Sequence, residues 1–289
     1  THFVVGRDHA GPGNNKDGKP FYDPYGAQNL ITQHKDEIGI QVLMYKMLCF
    51  VEELDEYRQI DDVPEGYRVL NISGTELRRR LMKGIDIPAW FSFPEVVKIL
   101  RKRHPPKSNQ GFTIFFTGFS GSGKSTVANA IRIALLQEGS RSVTVLDGEH
   151  VRQHLSTELG FSKEDRELNV KRVSFVASEI TKAGGVAVVS AIAPYAESRE
   201  YARKLISAQG GFVEVYCSTP LEVCEARDRK GLYAKARAGT IKDFTGVSDP
   251  YEVPAKPDII LDTSRCTVQQ ATHEITLWLE REGYIGRHD

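Results

Sequence analysis

Residues 111–289 alternate short apolar runs with longer stretches of helical character. Because the apolar runs carry no polar alternation, they predict strands that are buried on both faces. The stretches between them predict helices, so the pattern as a whole predicts an α/β fold with a parallel sheet covered by helices on both faces. On such sheets, ligands bind beyond the carboxyl ends of the strands. The predicted strands are residues 112–117, 142–146, 185–192, 211–217 and 258–261.

Residues 1–104 show shorter and more mixed patterns, which predict a second, separate unit. Ser73 followed by Glu76 has the spacing of a capping box, so a helix should begin there. The other predicted elements are a strand at 3–5, a glycine-rich loop at 6–13, an exposed loop at 14–25, a helix at 28–37, a β-like run at 39–50 and a short helix from Pro94.

The segment RKRHPPKSNQ, residues 101–110, separates the two patterned regions. Basic residues, two prolines and a Ser-Asn pair are typical of an exposed domain boundary. A length of 289 residues fits about two domains, which we place at 1–104 and 111–289 with a linker at 105–110. The chain opens in a strand-like run without an initiator Met, which predicts a piece of a longer protein or a processed product.

Composition narrows the range of partners. The 38 basic and 38 acidic residues balance, so no global basic field points to nucleic acid or to a membrane surface. A hydrophobic share of 40% is ordinary for a globular protein, and no apolar stretch approaches the roughly 20 residues of a membrane-spanning helix. Four widely spaced cysteines suggest neither a disulfide framework nor a zinc site, which predicts a reducing, cytoplasmic location.

The most specific motif is GFSGSGKST at residues 118–126, which fits the phosphate-binding pattern G-x-x-x-x-G-K-[ST] between a predicted strand and a predicted helix. Glycines let successive backbone N–H groups point at an anion, and a helix N-terminus favours negative charge. Lys124 should reach the terminal phosphates of ATP, and the Ser125 hydroxyl should bind Mg²⁺. The predicted ATP-binding residues of this loop are Gly118, Ser120, Gly121, Ser122, Gly123, Lys124, Ser125 and Thr126.

Asp147 and Glu149 follow the second predicted strand of this region, at the edge of the sheet where ligands bind. A carboxylate there could orient a Mg²⁺-bound water or accept a proton from an attacking hydroxyl. The alternative is an acid that only caps the following helix. Both acids are candidate catalytic residues, together with Lys124.

Three further segments carry residues suited to a nucleotide site, although charged, solvated helices are the alternative for the first two. Phe161 precedes a helix that Ser162 should cap, and Arg166 and Asn169 share one face of that helix. Residues 224–237 are strongly basic and could form a lid that closes over phosphates. In the irregular stretch after them, Phe244 could stack on a base.

The N-terminal region offers two weaker candidates. The loop GRDHAGPG at residues 6–13 could bind a phosphate-like or sulfate-like anion through its backbone, Arg7 or His9, or it could be a structural loop closed by its own Arg-Asp pair. The basic run at residues 78–80 is typical of a solvated helix face.

Taken together, these motifs resemble two families. Residues 111–285 resemble adenylylsulfate (APS) kinase through GFSGSGKST, DG-x-x-VR, LGFSKEDRELNVKR, APYAESR, KGLYAKARAG, IKDFTGV and DPYE. Residues 1–104 resemble the C-terminal part of ATP sulfurylase through GRDHAGPG, DPYGAQ, ISGTELRRRL and IPAWFSFPEVVKILR. The resemblance implies a P-loop kinase domain preceded by a partial α/β sulfurylase domain, as in bifunctional, PAPS synthetase-like chains of sulfate assimilation. Two sulfurylase motifs, Q-x-R-N-P-x-H and H-x-G-H, are absent, which implies that the sulfurylase site is incomplete here.

The resemblance also implies roles for individual residues. Phe161 and Phe244 would enclose the adenine of APS, and Arg227 would lie near the adenine of ATP. Arg152, Arg166 and Asn169 would hold the phosphosulfate and ribose of APS. The full set that would bind APS is Arg152, Phe161, Arg166, Asn169, Ala193, Pro194, Lys230 and Phe244. The sulfurylase nucleotide loop would comprise Gly6, Arg7, Asp8, His9, Ala10 and Gly11.

Three segments depart from the APS kinase pattern. The usual D-G-D-N reads DGEH at 147–150, and the longer Glu149 moves the carboxylate by about 1 Å, a misplacement that can cost about a hundredfold in rate. The usual I-S-P-Y-R reads IAPYA at 192–196, which loses a hydroxyl and a basic residue. The usual N-[IV]-R-R reads NVKR at 169–172, and lysine lacks the bidentate fork of arginine.

Two functions are therefore open. The first is an APS kinase that converts ATP and APS into ADP and 3′-phospho-APS (PAPS). The second is a regulatory kinase-like domain that binds PAPS and controls ATP sulfurylase, as in some fungal sulfurylases. Those domains have a degraded phosphate loop, whereas the loop here is intact, which favours the kinase. We expect a homo-oligomer, and the N-terminal unit could serve only in packing or oligomerisation.

Overall fold

The computed structural model describes residues 2–7, 9, 13–139 and 141–286. The chain forms two compact units, of which the first comprises Thr1–Arg79 and Asp86–Val97 and the second comprises Arg80–Ile85 and Lys98–Asp289. The second unit therefore begins before the predicted linker at 105–110 and includes the end of the helix that precedes it.

The elements of the first unit, with the two helices that continue into the second, are short. Its sheets are a parallel pair of β1 and β2 and an antiparallel sheet in the order β4-β3-β5. The bounds are β1 His2–Val5, α1 Gly26–Gln33, α2 Lys35–Ile38, β2 Gln41–Met44, β3 Leu48–Val51, β4 Glu56–Gln59, β5 Val69–Leu70, α3 Gly74–Lys83 and α4 Pro94–Arg103.

Two predictions for this unit are confirmed and two need correction. The Ser73 hydroxyl accepts a hydrogen bond from the Glu76 amide at 3.1 Å, so a helix does begin there, and α4 does begin at Pro94. The predicted run at 39–50 is wrong as one strand, because β2 and β3 belong to different sheets. The predicted helix at 28–37 is broken at His34, whose backbone caps both α1 and α2.

The core of the first unit is small. Phe50 lies under the Trp90 ring, with centroids 5.1 Å apart, and the edge of Tyr57 meets Phe50 at 5.4 Å. Val5 and Val51 are almost fully buried, whereas Phe3 in the same strand as Val5 is 43% exposed.

The second unit has the predicted α/β architecture. Its five strands are all parallel and lie in the order β10-β9-β6-β8-β7. The bounds are β6 Phe112–Thr117, α5 Lys124–Glu138, β7 Val143–Asp147, α6 Gly148–Leu155, α7 Lys163–Lys182, β8 Val186–Ser190, α8 Ala196–Ser207, β9 Gly211–Cys217, α9 Leu221–Arg227, α10 Leu232–Arg237, β10 Ile259–Leu261 and α11 Val268–Glu282.

Helices cover both faces of this sheet. On one face, Ile131 of α5 and Ile275 of α11 pack on side chains of β6, β8 and β9. On the other face, Val173 of α7 and Ile206 of α8 pack on the alternate side chains of the same strands. The central strand β6 is buried at all six positions, which explains why its sequence shows no polar alternation.

The predicted linker is an ordered part of the second unit. Lys107 lies 5.0 Å from the Tyr284 ring centroid and 3.5 Å from a Glu282 carboxylate oxygen. The Gln110 side chain donates a hydrogen bond to the Pro105 carbonyl at 2.6 Å. Pro105 and Pro106 are half-buried, whereas residues 102–104, 108 and 109 are exposed, so this segment is exposed in part. Within the described residues, no helix combines the length and apolarity needed to cross a membrane.

Candidate active site

A cavity of about 820 Å³ opens at the carboxyl ends of β6, β7 and β8, where the parallel sheet predicts a ligand site. Three predicted residues of the second unit, Gly118, Ser122 and Phe244, are not among the described residues that line it. The predicted residues that do line it are Ser120, Gly121, Gly123, Lys124, Ser125, Thr126, Asp147, Glu149, Arg152, Phe161, Arg166, Asn169, Ala193, Pro194, Arg227 and Lys230.

The phosphate loop needs glycine at particular positions. Gly118 has a φ of 142°, and a Cβ atom there would lie 2.6 Å from the Cys217 carbonyl oxygen. Gly123 has a φ of 91° and begins α5, and a Cβ atom there would lie 2.9 Å from the Thr263 side chain. Any larger residue would push the loop away from β9 or from the segment after β10.

Lys124 is buried in the loop that it belongs to. Its ammonium donates hydrogen bonds to the carbonyl oxygens of Gly118 at 3.0 Å and Phe119 at 2.6 Å. Burial lowers the pKa of Lys124 to about 8. An anion that approaches the loop would offer the ammonium a stronger acceptor than two carbonyl groups.

Ser125, Asp147 and Ser190 meet because β6, β8 and β7 lie side by side. The register aligns Phe116 with Ser190 and Ser190 with Asp147 at the ends of these strands. The Ser125 hydroxyl donates to one Asp147 oxygen at 2.7 Å and lies 3.1 Å from the Ser190 hydroxyl. The other Asp147 oxygen accepts from the Glu149 amide at 3.1 Å, so Asp147 caps α6 and contacts the phosphate loop at once.

The Ser125–Asp147 pair has the chemistry of a Mg²⁺ site. Mg²⁺ prefers oxygen ligands and is usually bound by one or two protein groups, with substrate phosphates and water completing its shell. Among the described residues, no group of three or more His, Cys, Asp or Glu side chains could hold a metal ion, which is compatible with such a sparse site. The two oxygens therefore fit Mg²⁺ that arrives with a nucleotide.

Glu149 lies at the mouth of the cavity and pairs with the basic segment. The Lys230 ammonium donates a hydrogen bond to Glu149 Oε2, and both side chains are exposed. Lys230 belongs to the turn between α9 and α10, so this pair joins that turn to the start of α6.

The basic segment at 224–237 is tied to the phosphate loop at two points, so it is more than a solvated helix. The Tyr233 hydroxyl of α10 donates to the Ser120 carbonyl at 2.9 Å. The Arg227 guanidinium donates to the Thr263 hydroxyl at 2.7 Å, the Thr263 carbonyl at 2.9 Å and the Gly121 carbonyl at 3.2 Å. These bonds place α9 and α10 along the cavity.

A second part of the cavity lining consists of cationic and amide groups of α6 and α7. The exposed Phe161 ring has the Arg152 guanidinium 4.6 Å and the Arg166 guanidinium 5.4 Å from its centroid. Arg152 donates to the Gly160 carbonyl at 2.8 Å and Arg166 to the Phe161 carbonyl at 2.8 Å. Burial lowers the pKa of both arginines.

Asn169 adds a polar atom to this wall. Asn169 is 8% exposed, and its buried Oδ1 has no hydrogen-bond partner among the described residues. A buried amide oxygen is costly without a donor, so this position suits a ligand with a hydroxyl or N–H group.

Phe244 does not join Phe161. Its ring is buried, and its edge meets the Tyr233 ring at a centroid distance of 5.1 Å, within a cluster that includes Cys224 and Ala236. The structure thus brings together all the predicted APS-binding residues except this one. Its role as an adenine contact stays a prediction and requires movement of the 241–247 segment.

The loop of the first unit shows local packing. One Arg7 nitrogen lies 2.8 Å from the Met47 sulfur, and the His9 ring meets the edge of Phe3 at 5.7 Å. Gly6 precedes them, and Asp8, Ala10 and Gly11 lie outside the described residues. A nucleotide-binding role for this loop therefore stays a prediction.

Sequence reasoning missed one end of the cavity. Thr267 and Gln270 form a capping box at the start of α11, with both reciprocal hydrogen bonds present. The T-x-x-Q spacing is a usable signal, because it marks a helix start a few residues after the fifth strand. The unpredicted lining residues include Ser190, Ile192, Thr263, Cys266, Thr267, Val268 and Ala271.

The parallel sheet, the intact phosphate loop and the acid at a neighbouring strand end define a P-loop kinase. Residues 110–262, more than half of the chain, match the family described as adenylylsulphate kinase, and residues 1–103 match the family described as ATP-sulfurylase. The chain belongs to the adenylylsulphate kinase family and carries an ATP-sulfurylase region before the kinase domain.

Curated relatives match the chain across both regions. The sulfate adenylyltransferase of Neurospora crassa is 51% identical over 287 residues, which are 99% of this chain and 50% of that protein. The Aspergillus oryzae protein of the same name is 53% identical over 287 residues, again 99% of this chain and 50% of that protein. The chain thus spans about half the length of these relatives.

Two solved structures share the fold. A hexameric APS kinase from Thiobacillus denitrificans is 41% identical with a TM-score of 0.72, over 89% of this chain and 46% of that chain. The Mycobacterium tuberculosis APS kinase in complex with AMPPNP and APS is 45% identical with a TM-score of 0.57, over 59% of this chain and 98% of that chain.

Proposed function

We propose that this chain transfers the γ-phosphoryl group of ATP to the 3′-hydroxyl of APS, giving ADP and PAPS. The observation that carries the proposal is one cavity lined by two sets of groups. One set is Lys124 and the Ser125–Asp147 pair, and the other is two arginines, an exposed aromatic ring and an amide oxygen without a hydrogen-bond partner among the described residues. The complex of the Mycobacterium tuberculosis relative with AMPPNP and APS supports the same pair of ligands.

The phosphate loop would hold ATP. Lys124 would exchange its bonds to Gly118 and Phe119 for bonds to the terminal phosphates. Ser125 and Asp147 would hold Mg²⁺, which neutralises charge on the phosphates when it is bound. Arg227, bonded to Thr263 and Gly121, would lie at the adenine end.

Glu149 would accept the proton of the APS 3′-hydroxyl. The freed oxygen then attacks the γ-phosphorus, the bond to the β-phosphate oxygen breaks and ADP leaves. Glu149 pairs with Lys230 in the structure, so Lys230 would have to turn from this carboxylate toward the phosphates before transfer.

The part of the cavity lining that α6 and α7 supply would bind APS. Arg152 and Arg166 would face its phosphosulfate, and Asn169 would donate its amide or accept from the ribose. Phe161 would stack on the adenine. Each arginine already donates a hydrogen bond to a backbone carbonyl oxygen. These bonds orient the guanidinium groups before the substrate arrives.

The second candidate is a regulatory domain that binds PAPS and controls a sulfurylase. The fungal relatives, which are named sulfate adenylyltransferase and are about twice as long, favour this candidate. The Glu149–Lys230 pair also favours it, because it occupies the proposed base. The intact loop and the Ser125–Asp147 contact weigh more strongly for the kinase.

We also propose a sulfurylase region at 1–104 and a kinase region at 111–289, which the family matches at 1–103 and 110–262 support. Residues 105–110 join the two regions along the sequence and pack on the kinase unit. A homo-oligomer is supported by the hexameric relative. A role of the first unit in packing or oligomerisation and a cytoplasmic location are further proposals.

The test is ADP release by the purified chain with ATP, Mg²⁺ and APS. Lys124→Ala should lower APS-dependent turnover by about 100- to 1,000-fold, because it removes charge stabilisation in the transition state. Lys204→Ala, an exposed lysine on α8, is the matched control and should be unaffected. Saturable binding of PAPS without turnover by the unmodified chain would overturn the kinase and leave the regulatory domain.

A further inference from the structure

The peptide at Ala193 is held in an unusual conformation at the wall of the cavity. Ala193 and Pro194 line the cavity, and Ala193 has a φ of 44°, in the left-handed region that residues with a side chain avoid. Such a conformation persists only where the surrounding structure fixes it. The contacts that fix it are therefore part of the site.

Arg199 of α8 supplies the central contact. Its Nη1 donates to the Ala193 carbonyl at 2.7 Å, and its Nη2 donates to the Glu252 carbonyl at 2.6 Å. Its Nε lies 3.2 Å from Glu214 Oε1 of β9, and its side chain is 4% exposed. The guanidinium thus contacts two loops and the sheet at once through three different nitrogens, which the single ammonium of lysine cannot do.

The second loop, residues 249–252, is bonded back to the first. The Glu252 amide donates to the Pro194 carbonyl at 2.9 Å, and its carboxylate accepts from the Ala196 amide at 2.6 Å. The Tyr195 hydroxyl donates to Asp249 at 2.5 Å. Asp249 also lies 4.0 Å from the Arg166 guanidinium. The network that begins at Arg199 therefore ends on one of the arginines of the APS wall.

Arg203 is a second arginine of α8, and it has no hydrogen bond to the Ala193 carbonyl among the contacts of the described residues. It lies one turn beyond Arg199 on α8 and pairs with the same acid, with 3.1 Å between Nη2 and Glu214 Oε2. Its second partner is Asp258 at 2.8 Å, next to β10. Both arginines join α8 to β9, and Arg199 in addition holds the cavity wall.

We propose that Arg199 is a positioning residue for the APS half of the site. It fixes the Ala193–Pro194 backbone and, through residues 249–252, the direction of Arg166. The proposal rests on the proposed function. It predicts that loosening this network weakens the productive binding of APS while ATP, which binds at the phosphate loop, is little affected.

The experiment compares Arg199→Lys with Arg203→Lys by steady-state kinetics. Arg199→Lys should raise KM for APS by about tenfold or more and leave KM for ATP within about twofold. Arg203→Lys, at a side chain that is 36% exposed, should lose less stability and leave both KM values within about twofold. A melting curve for each variant shows whether the two are comparably folded.

Glu252→Ala provides a second route if Arg199→Lys does not fold. It removes the acceptor of the Ala196 amide and leaves the Arg199–Glu214 pair in place. The same selective rise in KM for APS is expected. The proposal is overturned if both KM values rise together, or if Arg203→Lys gives the same selective change.

Calorimetry separates this proposal from the proposed function. If the unmodified chain shows no turnover, the kinase proposal is wrong. The dissociation constants for APS and PAPS, measured in the same variants, then test the positioning role of Arg199. A selective loss of APS or PAPS affinity in Arg199→Lys supports the positioning role, and unchanged affinity overturns it. An unmodified chain that binds neither ligand overturns both proposals.

Discussion

The two units each contain a parallel sheet, and the two sheets differ in what covers them. β6, at the centre of the five-stranded sheet, is buried at every position between helices on both faces. In the two-stranded sheet, only Val5 of β1 is buried, while Val4 beside it is 51% exposed. Both strands read as apolar runs in the sequence. An apolar run therefore identifies a strand, and its burial depends on the layers that other parts of a protein supply.

The two glycine-rich loops differ in the same way. The loop at 118–126 lies where the ends of β6, β8 and β7 bring together a lysine, a serine and an acid. The described part of the loop at 6–13 contacts Met47 and Phe3 of its own unit. Glycine residues allow the backbone conformation of such a loop, whereas the functional side chains around it depend on which strand ends lie beside it.

The largest expected effect tests whether the chemistry lies in the second unit alone. Glu149→Gln keeps the size of the side chain and removes the proposed base, so kcat should fall by about 100- to 10,000-fold. Glu56→Gln is the matched control, because Glu56 is an exposed acid of the first unit that pairs with Arg58. Steady-state ADP release measures both. A Glu149→Gln variant that keeps more than about a tenth of kcat contradicts the role of Glu149 as base.

The next prediction compares the loss of unfolding free energy when one core isoleucine is truncated in each unit. Ile131→Ala in the second unit should lower the free energy of unfolding by about 2–5 kcal/mol, because Ile131 is fully buried in the core that α5 and α11 form with the sheet and its truncation leaves a void. Ile72→Ala in the thinner first unit should cost less than about 2 kcal/mol. The chain has two tryptophans, Trp90 in the first unit and Trp278 in the second. Urea unfolding followed by fluorescence in Trp90→Phe and Trp278→Phe backgrounds reports each unit. Equal costs would contradict the contrast between the cores.

A smaller effect is the pH dependence of the phosphate loop. Burial lowers the pKa of Lys124 from 10.5 to about 8, so the charged form is lost as the pH rises above about 8. The value of kcat/KM for ATP should therefore fall about tenfold per pH unit there, because this ratio reports the free enzyme. Lys124→Arg, which stays charged, should remove this decline from its residual activity.

The lowered pKa of Lys124 makes stability change with pH in the direction opposite to activity. An unfolded chain keeps the Lys124 proton up to about 10.5, so between about 8 and 10.5 it binds more protons than the native state. Native stability from this group should rise with pH in that range. Urea midpoints at pH 8 and pH 10 should show the rise in the unmodified chain and its absence in Lys124→Met.

The smallest effect tests the exposed sheet. The double substitution Val4→Thr and Leu43→Thr should change the free energy of unfolding of the first unit by about 0.5 kcal/mol or less, since both side chains are about half exposed. Val188→Thr in β8 is the buried control and should cost about 1–3 kcal/mol. A loss above about 2 kcal/mol for the double variant would show that the face is covered in solution.

Much of the second unit could be predicted, because its signals are local. The strands at 112–117 and 211–217 match the structure to the residue, and Ser162 caps α7 as its spacing indicates. The phosphate loop is a continuous motif whose neighbours along the chain supply its context. These features depend on residues that are close in sequence.

The remaining features depend on residues that are far apart. Arg199 reaches Glu252, and Lys230 reaches Glu149, through contacts that no local pattern encodes. Phe244 is an aromatic residue in an irregular segment, and its burial against Tyr233 follows only from how that segment folds back. In the first unit, the run at 39–50 divides between two sheets because its partners, β1 and β4, lie on either side in sequence.

The position of β6 at the centre of its sheet has a consequence for synthesis on the ribosome. The phosphate loop emerges with β6, yet both neighbours of β6 come later, β8 from Val186 and β9 from Gly211. Thr263, which packs against Gly123, comes later still. A nascent chain therefore displays the motif long before it can hold a nucleotide. A nucleotide held by this loop can therefore stabilise the domain only after nearly all of it has left the exit tunnel.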